Sequence, residues 1–193
     1  MKAIFPVALV FLLILCRIPS AFAWNLEIGA RSLLPRIGAK EQEYTDKNGD
    51  KQTIKPKAET TATGYSYHLG LRLADYSIDL DSSEFGYESS IDASNPAVTE
   101  TSAIKSKITE NRIGINRHLE RELAGIYAGV GISNAKEELS SSTNSWVYTT
   151  NTPYFKFGID LILGLLVIRY EQLYMSLGAH SVQINAAGLL LVF

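Results

Sequence analysis

After residue 23 the chain alternates apolar and polar residues with a period of two, the signature of strands whose two faces meet different surroundings. Tyr65 to Leu73 alternates cleanly, and Phe155 to Leu161 does so without a fault. Shorter or looser runs cover Asn25 to Arg31, Tyr76 to Leu80, Arg112 to Asn116, Ile126 to Ser133, Leu166 to Glu171 and Val182 to Phe193. The pattern therefore predicts an all-β chain of eight strands.

Counting back by twos from Phe193 gives Leu191, Leu189 and Ala187, an apolar track running to the carboxyl terminus. No stretch after residue 23 reaches the length of a membrane helix; no apolar run is longer than Leu161 to Ile168, which contains Gly164. A strand crossing lipid must present one apolar face and leave no unpaired edge, so the pattern predicts a closed, antiparallel transmembrane β-barrel. Strands of ~9–11 residues fit eight into the chain with room for turns and loops, whereas ten would squeeze the evident loops. Connections alternate in length. Ala74-Asp75, His118 to Glu122 and Ile162 to Leu165 read as short turns at the periplasmic end. Gly38 to Gly64, Tyr87 to Lys105 and Ala135 to Ser145 read as long extracellular loops, and Met175 to His180 as a short one.

The first 23 residues differ in kind. Lys2 is followed by the apolar run Ala3 to Leu15 and then by Ala21-Phe22-Ala23, the layout of a secretory signal peptide, so residues 1–23 are expected to be removed and 24–193 to form one barrel domain. Arg17 and Pro19 interrupt the run too early for a retained anchor. Cys16 follows Leu15 rather than a small residue, which argues against lipidation, and the mature chain would hold no thiol. A net charge of −2 gives no basis for a nucleic-acid surface.

The terminal track, the glycine-spaced strand Ile126-Tyr127-Ala128-Gly129-Val130-Gly131 and the run Arg169-Tyr170-Glu171 resemble the small Gram-negative outer-membrane barrels of the OmpA, OmpX and opacity-protein kind. The resemblance implies export through the periplasm with chaperones, and insertion by the barrel-assembly machinery, which in such families reads the terminal strand. Ala187, Leu189, Leu191 and Phe193 would form that signal, with Leu191 where an aromatic is common. Outer-membrane lipids and lipopolysaccharide would then be neighbours, with the surface ligand left unnamed.

If Leu26, Leu69, Ile78, Ile113, Ile159 and Ile168 face lipid, the alternate track turns Glu27, Arg31, Arg72, Asp79, Arg112, Lys156, Asp160, Arg169 and Glu171 inward. Both signs are present, and an eight-stranded barrel is narrow enough for side chains to fill it. Buried charges persist when paired, so a closed, salt-bridged polar core is expected, with a narrow channel for small or amphipathic solutes as the alternative. The inward glycines Gly29, Gly70, Gly114, Gly129, Gly131 and Gly158 would make room for long charged side chains.

A lipid A-modifying enzyme is a further reading, because His180, Ser181 and Glu171 could supply a base, a nucleophile and an orienting carboxylate. Adjacent strand residues point to opposite faces, and the His-x-Ser spacing of the lipid A deacylases is missing, so no catalytic residue is expected. His68 reads as a core hydrogen-bonding group and His118 as part of a turn. Asp46 to Asp50 has the alternating oxygens of a calcium loop, but Lys51 and Lys57 stand where glycine and glutamate are needed, so neither metal nor cofactor is expected. Asn48-Gly49 instead marks a two-residue turn of an extracellular hairpin pairing Glu41 to Thr45 with Lys51 to Ile54.

Trp24, Tyr76 and Phe193 are placed at one membrane interface, and Tyr65, Tyr87, Tyr154 and Tyr174 at the other. Ser140 to Ser145 followed by Trp146-Val147-Tyr148 could offer a sugar-binding surface. The expected role is structural, adhesive or surface-interacting, through the extracellular loops.

Overall fold

A computed structural model describes residues 24–38, 40–54, 60–90, 103–121, 123–141 and 144–193; residues 1–23, expected to be a signal peptide, lie outside them. The strands are β1 (Trp24–Gly38), β2 (Gln42–Asp46), β3 (Lys51–Ile54), β4 (Thr60–Thr61), β5 (Thr63–Leu73), β6 (Tyr76–Ser90), β7 (Ala103–Arg121), β8 (Ala124–Ser140), β9 (Ser145–Leu163), β10 (Leu166–Leu177) and β11 (His180–Val192). Strands β1 and β5 to β11 pair antiparallel in chain order, and β11 returns to β1 from Glu27↔Val192 to Gly38↔Ser181. The result is a closed eight-stranded barrel. At the seam Leu26 and Phe193 exchange two backbone hydrogen bonds of 3.0 Å, so the last residue is paired rather than frayed.

The strands outrun the alternating cores from which they are recognised. Strands β7 and β9 are each 19 residues long, about 60 Å at ~3.3 Å per residue, roughly twice the ~30 Å of hydrocarbon to be crossed. Most of the expected connections shrink accordingly. His118 is not in a turn but inside β7, and Ala135 to Ser140 continue β8, leaving residues 141–144 to connect β8 to β9. The hydrogen-bonded ladder simply continues where the outward residues become polar, so loss of the apolar track marks the edge of lipid and not the end of a strand.

The turns Ala74-Asp75, Gly164-Leu165 and Gly178-Ala179 join strands through two residues. Gly164 and Gly178 take φ of +69° and +61° at the first turn position, and Ala74 adopts +51° at the same place, where a Cβ is disfavoured.

Outward-facing Leu69, Ile78, Ile113, Ile115, Val130, Ile132, Ile159, Ile168 and Leu189 form an exposed apolar band. Trp24, Tyr76 and Phe193 are exposed at the end holding the termini, and Tyr65 is exposed toward the other, the loop end. Tyr87 and Tyr154 are not girdle residues: both share the inward track of their strands and are buried.

Candidate functional site

The barrel interior has two tiers, both set by the same alternation. Toward the end holding the termini, inward positions of β1, β5, β6, β7, β9 and β10 bring buried charges together. Arg31 bridges Asp81 and Glu171, donating to Glu171 at 3.0 Å. Lys156 donates to Asp79 at 2.8 Å and lies 3.3 Å from Glu171. Arg169 grips Asp160 through two hydrogen bonds of 2.8 Å and approaches Glu27 at 3.2 Å. Arg72 reaches Glu120 at 2.6 Å and Glu27 at 3.6 Å, and Arg112 lies 3.8 Å from both Asp81 and Glu110. The nine charges expected on the inward track are thus all buried and each faces an opposite one, with Asp81 and Glu110 joining them.

His68 sits inside this network, its Nδ1 2.8 Å from Asp81 and its Nε2 3.4 Å from Glu27. Aromatic rings complete it. The Arg169 guanidinium stacks 4.5 Å over the Tyr127 ring, whose hydroxyl donates to Glu171 at 2.7 Å. A Cβ at Gly158 would stand 2.5 Å from that ring, so this glycine serves the tyrosine more than a long charged side chain. His118, which the alternation assigned to a turn, is buried, stacked on Tyr127 and hydrogen-bonded to Ser77 at 3.0 Å.

Two groupings, His68 with Asp79 and Asp81, and His118 with Glu120 and Asp160, bring ligand-type atoms within 4.8 Å of one another. In both, cations already occupy the carboxylates: Arg31 and Lys156 in the first, Arg72 and Arg169 in the second. A metal ion would have to displace them, so the donor sets fit an ion-pair network better than a metal centre.

Toward the loop end the interior turns apolar. Leu33, Ile37, Phe85, Ile108, Tyr154, Leu173, Met175, Leu177, Val182 and Ile184 are buried against one another across the barrel. The charged inward positions alone predict a polar core throughout, and the structure confines it to the lower tier. The upper inward positions lie in the long strand extensions, beyond the runs that announced themselves by alternation.

Above this plug the β2–β3 hairpin closes the mouth. It pairs Gln42↔Ile54 through Thr45↔Lys51 and docks on β9 at Asp46↔Trp146. Its turn is a three-residue one in which Gly49 N–H donates to the Asp46 carbonyl and Gly49 takes φ of +90°. The Asp46 carboxylate accepts the backbone N–H groups of Asn48 (2.8 Å) and Asp50 (2.9 Å) and holds the turn in this form rather than the two-residue one expected. Trp146 is buried with Tyr44, Ile54, Ile104 and Leu139, so it anchors the cap and does not supply the exposed sugar platform that the sequence allows.

Tyr44 reaches from the hairpin to Glu137 (2.9 Å) and lies 2.9 Å from His180 Nε2. Glu137 also accepts Tyr87 at 2.7 Å and Ser106 at 3.0 Å. Lys40 N–H donates to His180 Nδ1 at 2.9 Å, which leaves Nε2 to carry the proton of a neutral ring. Burial holds His180 below its ordinary pKa against the opposing pull of Glu137, while burial and then the Glu137 charge push the Tyr44 hydroxyl up. The candidate catalytic trio does not assemble: His180 is buried under the cap, Ser181 faces out, and Glu171 lies in the charged tier.

No protein-family profile and no curated protein matches this sequence. Solved structures do. Ail, the attachment invasion locus protein of Yersinia pestis, in complex with the heparin analogue sucrose octasulfate, superposes with a TM-score of 0.58 at 15% identity, over 88% of this chain and 99% of that one. Neisserial surface protein A gives 0.56 at 10% identity over 87% and 96%, and the N-terminal β-barrel domain of Pseudomonas aeruginosa OprF gives 0.52 at 12% over 88% and 97%. The chain has the fold of the small outer-membrane β-barrels. That fold accounts for the outward apolar band.

Proposed function

We propose that this chain is a sealed, non-conducting outer-membrane barrel that works through its loop end as a surface-interaction protein. Two stacked plugs under a docked hairpin support this reading: charged pairs fill the lower tier, apolar side chains the upper, and Tyr44 bonds the hairpin to both Glu137 and His180. A path for solute would require breaking all three. The long strand ends then serve as a rigid stalk that lifts a mixed-charge rim above the membrane. On that rim Lys51, Lys107 and Lys136 each face a carboxylate, Glu43, Glu84 and Glu138 respectively. Matched charge suits a protein or glycan partner met by shape more than a sulfated polyanion of the kind bound by Ail.

The terminal residues Ala187, Leu189, Leu191 and Phe193 lie on the closing strand, with Leu189, Leu191 and Phe193 exposed along one outward track, a geometry suited to recognition by the insertion machinery. Removal of residues 1–23 would leave Trp24, the first residue of β1, as the mature terminus. The interaction role is tested by displaying the chain on a non-adherent Gram-negative host and counting cells bound to cultured epithelium, matrix protein and abiotic surfaces. Adherence above the empty host, lost when residues 42–54 are replaced by a short linker in a barrel that still folds, is the expected result. Adherence equal to the empty host on every surface would reject it.

A further inference from the structure

The outer wall formed by β9, β10, β11 and β1 carries a groove of about 610 Å³ that the sealed interior does not explain. Antiparallel register sets Phe155, Tyr174, Gln183 and Arg36 side by side on four adjacent strands. The next row toward the loop end holds Ser176, Ser181 and Gly38, small residues that form a trough. Phe155 and Tyr174 stack at 4.8 Å with rings 9° apart, and Phe155 remains 52% exposed.

A polar ladder continues into the apolar band beneath. Tyr174 donates to Gln172 at 3.1 Å, Gln172 to Tyr170 at 2.9 Å, and Tyr170 to Asn185 at 3.1 Å. These side chains satisfy one another along the ladder, which makes a strip of amides and hydroxyls tolerable on an otherwise apolar wall and presents it to polar groups from the lipid side. Arg36 sets the charge. Lys107 and Lys136, on the far wall, are neutralised by Glu84 and Glu138, whereas Arg36 is exposed with no carboxylate within salt-bridge distance among the described residues.

From this we infer that the groove is a binding site for a phosphorylated saccharolipid of the outer leaflet. Arg36 takes the phosphate, the Phe155–Tyr174 stack carries a sugar face, and Gln183, Ser176 and Ser181 meet sugar hydroxyls. Three strand spacings of ~4.8 Å separate Arg36 from Phe155, roughly 14 Å and comparable to a disaccharide headgroup. The acyl chains descend the wall over Ala187 and Leu189, both exposed.

The inference rests on the outer-membrane reading but fails separately from it. The test uses the refolded full-length barrel in detergent and native mass spectrometry with three probes: Kdo2-lipid A, its dephosphorylated form, and phosphatidylglycerol. Phosphorylated lipid A should bind in preference to both others. Arg36→Ala should weaken it about tenfold, Arg36→Lys less, and Ser176→Trp should block the trough, while Lys107→Ala should change nothing. Heat-modifiable gel mobility shows that each variant is folded. Equal binding of the dephosphorylated lipid or of phosphatidylglycerol, or binding in folded Arg36→Ala or Ser176→Trp equal to the unaltered protein, would overturn the site while leaving the sealed barrel intact.

Discussion

The lower and upper tiers of the barrel interior occupy the same inward track of the same strands, yet they seal it by opposite means. In the lower tier Arg31, Asp79, Asp81, Lys156, Arg169 and Glu171 fill space with charges that tolerate burial only in company. In the upper tier Ile37, Ile108, Leu173 and Ile184 fill it with hydrocarbon, whose stability depends on volume and not on partners. The lower seal is therefore specific and brittle, and the upper one is tolerant of chemistry but sensitive to cavities.

The sharpest way to break that contrast is to remove one charge. Arg31→Met leaves the buried Asp81 and Glu171 with Lys156 as their one shared cation instead of two and should cost about 3 kcal/mol, read as a lowered urea midpoint in lipid or as failure to reach the heat-modifiable form. In the upper tier Leu173→Ala should cost about 2–4 kcal/mol, and Leu173→Met much less in the same assay. A lower-tier variant as mild as Leu173→Met would mean that the network is wetter than its burial indicates.

A smaller effect should appear at the cap, where the upper seal meets a titratable group. The His180 pKa is held below 6.5 when folded, so the unfolded chain binds the proton more readily. Cap stability is complete above pH ~6.5 and falls as the pH drops through that value toward the folded pKa. Hydrogen exchange at residues 43–52 should accelerate between pH 7.5 and pH 5 relative to the intrinsic rate, and His180→Gln should flatten that dependence. Smallest of all, Ala74→Gly should stabilise the barrel by about 1 kcal/mol, because Ala74 alone among the described non-glycine residues has positive φ. Chemical denaturation would resolve the gain, and a loss would show that the turn is shaped by something other than its backbone.

These regions were unequally legible in the chain. The eight strands and most of the lower-tier charges are legible because Phe155 to Leu161 or Tyr65 to Leu73 alternates sharply between lipid and a charged interior, whereas Asp81 and Glu110 lie just outside the runs Tyr76 to Leu80 and Arg112 to Asn116. The upper tier was hidden where both tracks lose contrast: Lys105 to Asn111 mixes polar outward residues with inward Ser106, Ile108 and Glu110, which reads as loop although it is strand. Tyr87, Tyr154 and Trp146 were misplaced for a related reason. An aromatic near a strand end suits a girdle, and only its parity with Asp79 and Asp81, or with Lys156, says that it points inward. The cap depended on Tyr44 meeting Glu137 and His180, contacts more than 90 residues apart for which a single sequence offers no periodic signal.

Whether the barrel is sealed can be read by refolding residues 24–193 and recording current across a planar bilayer. Protein that is inserted and heat-modifiable but electrically silent is the expected result. Discrete, reproducible conductance steps from the unaltered protein would contradict it and turn Arg31, Arg72 and Arg169 from a plug into the lining of a pore.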